Sequence, residues 1–182
     1  MDDLVRAALT KWPDVPACRG WLGLDARGDW YLRDERAQAA GAFPAVKGSR
    51  IEHEQLLGFI GRNYAADAAG AWFFQNGPQR VYVELEAAPW VWRVRQGDSE
   101  DGVPRIVSHS GRDAAVASSW TDEQGRLFLA TDLGLGLVHT LDMLDAASAV
   151  ESGLWAPQPL AFGALLARFG VVLSPLAAQA GA

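Results

Sequence analysis

Three histidines, one cysteine and a few closely spaced carboxylates are the residues of this chain with the most chemistry to offer. Zinc sites need histidines, cysteines or carboxylates at short spacings, such as two histidines one helical turn apart. His53, His109 and His139 have no histidine neighbour at such a distance. His53, between Glu52 and Glu54, reads as part of a solvated helix face, and His139 as a structural histidine. Cys18 is the single cysteine, which excludes an intrachain disulfide and a thiolate zinc cage. No metal and no cofactor are expected.

Serine nucleophiles sit on a strained elbow such as Gly-x-Ser-x-Gly, with a base brought alongside by the fold. Ser108-His109-Ser110-Gly111 lacks that elbow. A general acid–base pair could come from Glu84 and Glu86, two residues apart on one strand face, or from Asp132 and Asp142. Carboxylates on the wet side of a strand explain the first pair as well. Gly134-Leu-Gly136 starts like a dinucleotide fingerprint, but His139 occupies the third glycine position and no βαβ unit follows, so it is rejected as a cofactor site. An enzyme would therefore assemble its site from distant residues, with His139, Asp132 and Glu84 as candidates for a hydrolase or isomerase.

Aromatic residues are the larger investment: six of the eight tryptophans lie in residues 1–95. Trp30, Trp72, Trp90 and Trp92 keep step with the apolar positions of their strands and are expected in the core. Tyr31, Tyr82 and Arg93 fall on the opposite faces. With Gln75, Arg80 and Glu84 they form a candidate polar-aromatic surface for a small molecule, a sugar or a peptide, against the alternative of a merely solvated sheet face.

The elements that must position these residues follow from periodicity. Leu4, Val5, Ala8, Leu9 and Trp12 recur at helical spacing behind Asp2 and Asp3, and Pro13 stops that helix. A turn motif then occurs three times: Asp25-Ala-Arg-Gly28-Asp-Trp30-Tyr31, Asp67-Ala-Ala-Gly70-Ala-Trp72-Phe73 and Asp122-Glu-Gln-Gly125-Arg-Leu127-Phe128. Aspartate can bond its own following backbone and glycine can take a positive φ, so each copy reads as a tight turn launching a strand. Trp21–Leu24 with Trp30–Arg33, and Ser119–Thr121 with Leu127–Ala130, are the hairpins expected around the first and third.

Ser49-Arg-Ile-Glu52 has the form of a capping box, heading a helix that carries Leu56, Leu57, Ile60 and Tyr64 on one side. Arg80–Glu86 and Trp90–Arg95 alternate every two residues, as strands of an antiparallel sheet with one wet face. Residues 96–118 change character, with a polar turn at Gly97–Gly102, and read as a long loop or lobe boundary. Leu135–Ala149 reads as strand running into helix, Pro159–Phe169 as a helix closed by Gly170, Val171–Leu173 as a last short strand and Ala177–Ala182 as a frayed tail.

The succession of a D-x-x-G-x-W-Y hairpin, the Glu52–Ile60 helix, a D-x-x-G-x-W-F strand, Asn76-Gly-Pro-Gln-Arg80-Val-Tyr-Val-Glu84 and Pro89-Trp-Val-Trp92 resembles bacterial proteins of unknown function. More distantly it is similar to another uncharacterised bacterial family with two tandem α+β lobes. The resemblance covers roughly residues 20–95. It implies two lobes and small-ligand or regulatory binding, and it supplies no catalytic residues.

The expected fold is α+β: twisted antiparallel sheets with packed helices in two tandem lobes, at residues 1–96 and 119–182, joined by 97–118. Hydrophobic residues make up 49% and charged residues 21% of the 182, a globular composition. The net charge of −6 resides in the second half, where residues 96–182 carry 4 Lys/Arg against 10 Asp/Glu. No cluster of Lys/Arg is present to neutralise phosphates, so nucleic acid is not an expected partner. The best apolar stretch, Leu127–Leu144, is broken by Asp132, His139 and Asp142, so no membrane span is expected. Met1-Asp2-Asp3 lacks the basic, then apolar start of a secretory signal, which points to the cytoplasm. The leading expectation is a non-enzymatic module that binds a small ligand or regulates; the rivals are the dispersed-site enzyme and a protein-interaction module.

Overall fold

The computed structural model describes residues 1–95 and 103–180. In chain order, α1 (Asp3–Lys11) leads to β1 (Cys18–Leu24), β2 (Trp30–Leu32), α2 (Glu35–Ala40), β3 (Ser49–Arg50), α3 (Glu54–Arg62), β4 (Tyr64–Ala66), β5 (Trp72–Asn76) and β6 (Gln79–Leu85). There follow β7 (Trp90–Arg95), β8 (Arg105–Ser108), β9 (Asp113–Ala114), β10 (Val116–Thr121), β11 (Leu127–Thr131) and β12 (Gly134–Val138). A 3-10 turn (Thr140–Asp142), α4 (Met143–Glu151), β13 (Gln158–Pro159), α5 (Phe162–Arg168) and α6 (Pro175–Ala180) complete the chain. Among the described residues no helix is long and apolar enough to cross a membrane.

Contacts divide the chain into two compact units: residues 1–25, 29–86 and 171–182, and residues 26–28 and 87–170. Each holds one sheet. The first runs β3-β2-β1-β6-β5-β4, two antiparallel three-stranded meanders joined by the parallel pair β1–β6, with Leu22 opposite Val83 and Leu24 opposite Leu85. The second runs β9-β8-β7-β12-β11-β10-β13, again two antiparallel meanders joined by a parallel pair, β7–β12, with Trp90 opposite Gly136 and Trp92 opposite Val138. Apart from the added β13, strand order and direction are the same. The second half is thus a topological repeat of the first, and the chain is α+β with two lobes.

The turn motif is built as its residue types dictate. The amide of Asp67 donates to the Ala71 carbonyl (3.0 Å), Oδ1 of Asp67 accepts from the amides of Ala69 and Ala71, and Gly70 has φ +82°. Asp122 repeats this with Gln124, Arg126 and Gly125 (φ +73°), and Asp25 with Asp29 and Gly28 (φ +84°). A fourth copy carries serine. The amide of Ser108 donates to Arg112 O (2.8 Å), its Oγ accepts from the Arg112 amide (3.0 Å), and Gly111 has φ +82°. Ser108-His109-Ser110-Gly111 is therefore a β8–β9 turn.

Several local expectations are corrected by tertiary pairing. Ser49 and Arg50 form β3 against Leu32 and Tyr31 instead of a capping box, and α3 is capped by His53, whose Nδ1 accepts from the Leu56 amide (3.3 Å). Tyr64 lies in β4, beyond the helix. Residues 105–118, read as loop, carry β8, β9 and the start of β10, while the expected polar turn at 97–102 lies outside the described residues. Pro159 pairs in β13 beside Thr121, so α5 begins only at Phe162; Gly170 (φ +60°) follows its end as expected. Val172 makes an isolated bridge to Ala71, and the expected frayed tail is mostly α6.

The strands β6 and β7 belong to different sheets, and neither has a wet face along its length. Tyr82, Val83, Glu84 and Leu85 are all buried in β6, as are Trp90, Val91, Trp92 and Val94 in β7. Trp30, Trp90 and Trp92 are core residues, whereas Trp72 is half-buried. The Trp90 and Trp92 rings stack (centroids 5.8 Å, planes 16° apart), and their indole N–H groups donate to Leu133 O (2.8 Å) and Leu129 O (3.0 Å).

Candidate functional site

Five of the six residues of the predicted polar-aromatic surface lie in the first unit and Arg93 in the second. Gln75, Tyr82 and Glu84 are buried. Tyr82 donates to Oδ2 of Asp67 (2.8 Å), with the Arg19 guanidinium 4.3 Å over its ring; Arg80 lies 4.7 Å over the Phe73 ring. Burial opposes the Asp67 charge, but the Tyr82 hydroxyl, the Ala71 and Ala69 amides and the Arg80 charge outweigh it and hold this carboxyl below its usual range. The Gln75 side-chain amide donates to Gly77 O (2.9 Å). Glu84 accepts from the Ser174 hydroxyl and the Leu176 amide (3.1 Å), fastening the first turn of α6 to the sheet.

Tyr31 donates to Asp25 (3.2 Å), which also accepts from Lys47 (2.9 Å); Lys47 reaches Glu86 as well (3.0 Å). Burial lowers the Lys47 affinity for its proton, yet the bonds to Asp25 and Glu86 prevail and raise it. Burial, with the Asp25 charge, raises the Tyr31 hydroxyl. Arg93 donates to both oxygens of Asp142 (2.6 and 3.0 Å), which also accepts from the Val94 amide.

The dispersed-site enzyme candidates are similarly engaged. His139 lies in the second unit, where its Nδ1 accepts from the Leu141 amide (3.0 Å) at the head of the 3-10 turn. Asp132 accepts from the Ala115 amide (2.8 Å), and Glu84 belongs to the first unit. His109 uses Nδ1 to accept from the Val91 amide (3.3 Å). Among the described residues, no three His, Cys, Asp or Glu side chains are grouped so as to hold a metal ion.

A site the sequence reading did not find lies on the other face of the first sheet. Cross-strand neighbours Phe74 and Val81, and Leu22 and Leu32, form its floor; Leu56 and Ile60 of α3 form a wall. Together they enclose a cavity of about 250 Å³. Its opening is shaped by an irregularity in β1: Cys18 pairs with Val81 but Leu22 with Val83, so four steps on one strand match two on the other. Gly20 (φ +78°) lies within this bulge, and the next residue, Trp21, joins the cavity wall. Bulges re-aim side chains in this way. Trp21, Leu32 and Leu56 remain 39%, 51% and 39% exposed.

The wall is apolar except for the Cys18 thiol and the amides of Asn76 and Gln79, and among the described residues it includes no charged side chain. A larger cavity, about 490 Å³, lies in the second unit near Ile106, Trp155 and the first residues of β10. Its wall is mixed, with Ser118, Ser119 and Gln158, and includes Val103 and Pro104, which adjoin residues 96–102.

The family model DUF2944, whose description reads "Protein of unknown function (DUF2946)", matches residues 1–176. No curated protein matches the chain. Among solved structures, a DUF1285 family protein from Silicibacter pomeroyi DSS-3 is similar with a TM-score of 0.51 and 13% identity, covering 81% of this chain and 84% of that one. At that identity the likeness shows the fold alone. A DUF1285 family protein from Shewanella baltica OS155 is similar with a TM-score of 0.49 and 11% identity, covering 70% of this chain and 91% of that one. The match over residues 1–176 shows that the chain belongs to the DUF2944 family, whose function is unknown.

Proposed function

We propose that this protein is a non-enzymatic binding module whose first unit takes a small apolar molecule between the sheet and α3. One observation carries the reading: a cavity of about 250 Å³ with a nearly uncharged, apolar wall, opened by a bulge that brings Trp21 to its rim. An apolar cavity of about 150 Å³ holds benzene, so this one admits a ligand of about ten non-hydrogen atoms. At about 0.5 kcal/mol per atom, within the range for small ligands, the affinity is of order 0.2 mM. The occupied histidine Nδ1 atoms and the inward ion pairs of Asp25 and Asp142 support a binding role over acid–base chemistry. The lone Cys18 suits a reducing, cytoplasmic setting.

A thermal-shift titration with toluene tests this. Toluene has seven non-hydrogen atoms, so the same value per atom gives a Kd of about 3 mM, and at about 5 mM ligand the expected stabilisation is roughly 0.6 kcal/mol, a rise in Tm of about 1–2 °C for a chain of this size. Leu56→Trp, which fills the opening from an exposed helix position, should abolish the rise. A flat response of the wild-type protein would reject the proposal.

A further inference from the structure

We infer that the ligand is an uncharged amphiphile: an apolar body in the cavity and a single hydroxyl, amide or keto group at Asn76 and Gln79. The inference rests on the reading of the cavity as a binding site and adds the chemical class of its occupant. Asn76 and Gln79 are cross-strand partners in the β5–β6 register, and both contribute their amides to an otherwise apolar wall. Gln79 donates its side-chain nitrogen to Pro16 O (3.1 Å), which leaves Oε1 as an acceptor. Among the described residues the Asn76 side-chain amide has no protein partner, so it offers a donor and an acceptor to an arriving polar group.

Charge in the cavity is disfavoured because the arginines near its wall residues in sequence are engaged elsewhere. Arg19 stacks on Tyr82 and Arg80 on Phe73, rings of the opposite sheet face. Arg62 is paired with Asp2 (3.3 Å) and Arg50 with Asp29 (2.7 Å). A carboxylate entering the cavity would lose water without gaining a cation, whereas a neutral polar group exchanges water for amide hydrogen bonds. The volume suits a chain of about eight carbons with one such group and is too small for a folded protein element.

The test compares octan-1-ol, octanoate and toluene by calorimetric titration at pH 7. Octan-1-ol should bind at least tenfold more tightly than octanoate. Asn76→Ala with Gln79→Ala should weaken octan-1-ol about five- to tenfold and leave toluene unchanged. Asn76→Lys, at an exposed position, should reverse the preference in favour of octanoate. Equal binding of octanoate and octan-1-ol to the wild-type protein, or undiminished octan-1-ol binding by a folded double variant, overturns the inference while toluene binding leaves the cavity reading intact. Failure of all three probes, toluene included, overturns both.

Discussion

The indole of Trp92 occupies the space where any side chain at residue 136 would begin: a Cβ on Gly136 would stand 2.3 Å from Trp92 Nε1. This explains the Gly134-Leu-Gly136 stretch. The second glycine lets β12 lie beneath the stacked Trp90–Trp92 pair, and Trp92 Nε1 reaches Leu129 O on the neighbouring strand. The glycine is a packing requirement in a stretch that only begins like a dinucleotide fingerprint. Because Gly136 has no positive φ, Gly136→Ala should be destabilising through steric overlap alone, by about 3 kcal/mol in urea unfolding. Gly163→Ala is the control: its Cβ would meet open space within α5, and it should be neutral or stabilising by about 0.5 kcal/mol.

The serine variant of the turn motif makes a second prediction. Ser108→Ala removes the acceptor for the Arg112 amide and should cost about 1–2 kcal/mol, as loss of a helix N-cap does. Ser108→Asp recreates the composition of the Asp122 turn, where Arg126 four residues on pairs with the aspartate (2.7 Å), because Arg112 holds the same offset. That variant should stay within about 1 kcal/mol of wild type. Chemical denaturation of the pair measures both effects.

Acid stability should depend on Asp142. Hydrogen bonds from Arg93, helped by the Val94 amide and the Arg95 charge, outweigh burial and hold this carboxyl below its usual range. The unfolded chain therefore binds its proton at higher pH than the folded one does. The stabilisation is fully present above the ordinary aspartate pKa of about 4 and is lost as pH falls through the lower folded value. Asp142→Asn should cost about 1–3 kcal/mol at neutral pH, since part-exposed Arg93 loses its charged hydrogen-bond partner. Its urea midpoint should also fall less steeply than that of wild type between about pH 4 and pH 2.

Legibility followed the range of the interactions. The three aspartate turns could be read because donor, acceptor and positive-φ glycine lie within five residues; the serine copy escaped because its hydroxyl makes one of the two bonds an aspartate can make. Ser49-x-x-Glu52 satisfies a local capping rule, but pairing of Ser49 with Leu32 placed it in a strand. Alternation correctly marked β6 and β7 as strands, yet it could not show that both faces are covered: Glu84, which reads as solvated, is enclosed by Ser174 and Leu176, some ninety residues later. Tyr31, Gln75, Tyr82 and Arg93 have side-chain bonds within their own units that no local pattern announces. The cavity was invisible for the same reason, since it depends on a β1 bulge and on where α3 rests.

The most direct measurement of the central claim uses the three isoleucines, Ile51, Ile60 and Ile106. Ile51 and Ile60 line the proposed site, and Ile106 lies in the second unit. In methyl NMR of δ1-labelled protein titrated with toluene, the Ile51 and Ile60 signals should shift together and saturate with one dissociation constant, while Ile106 stays in place. Shifts that never saturate, or that appear equally at all three methyls, would contradict a binding site between the first sheet and α3.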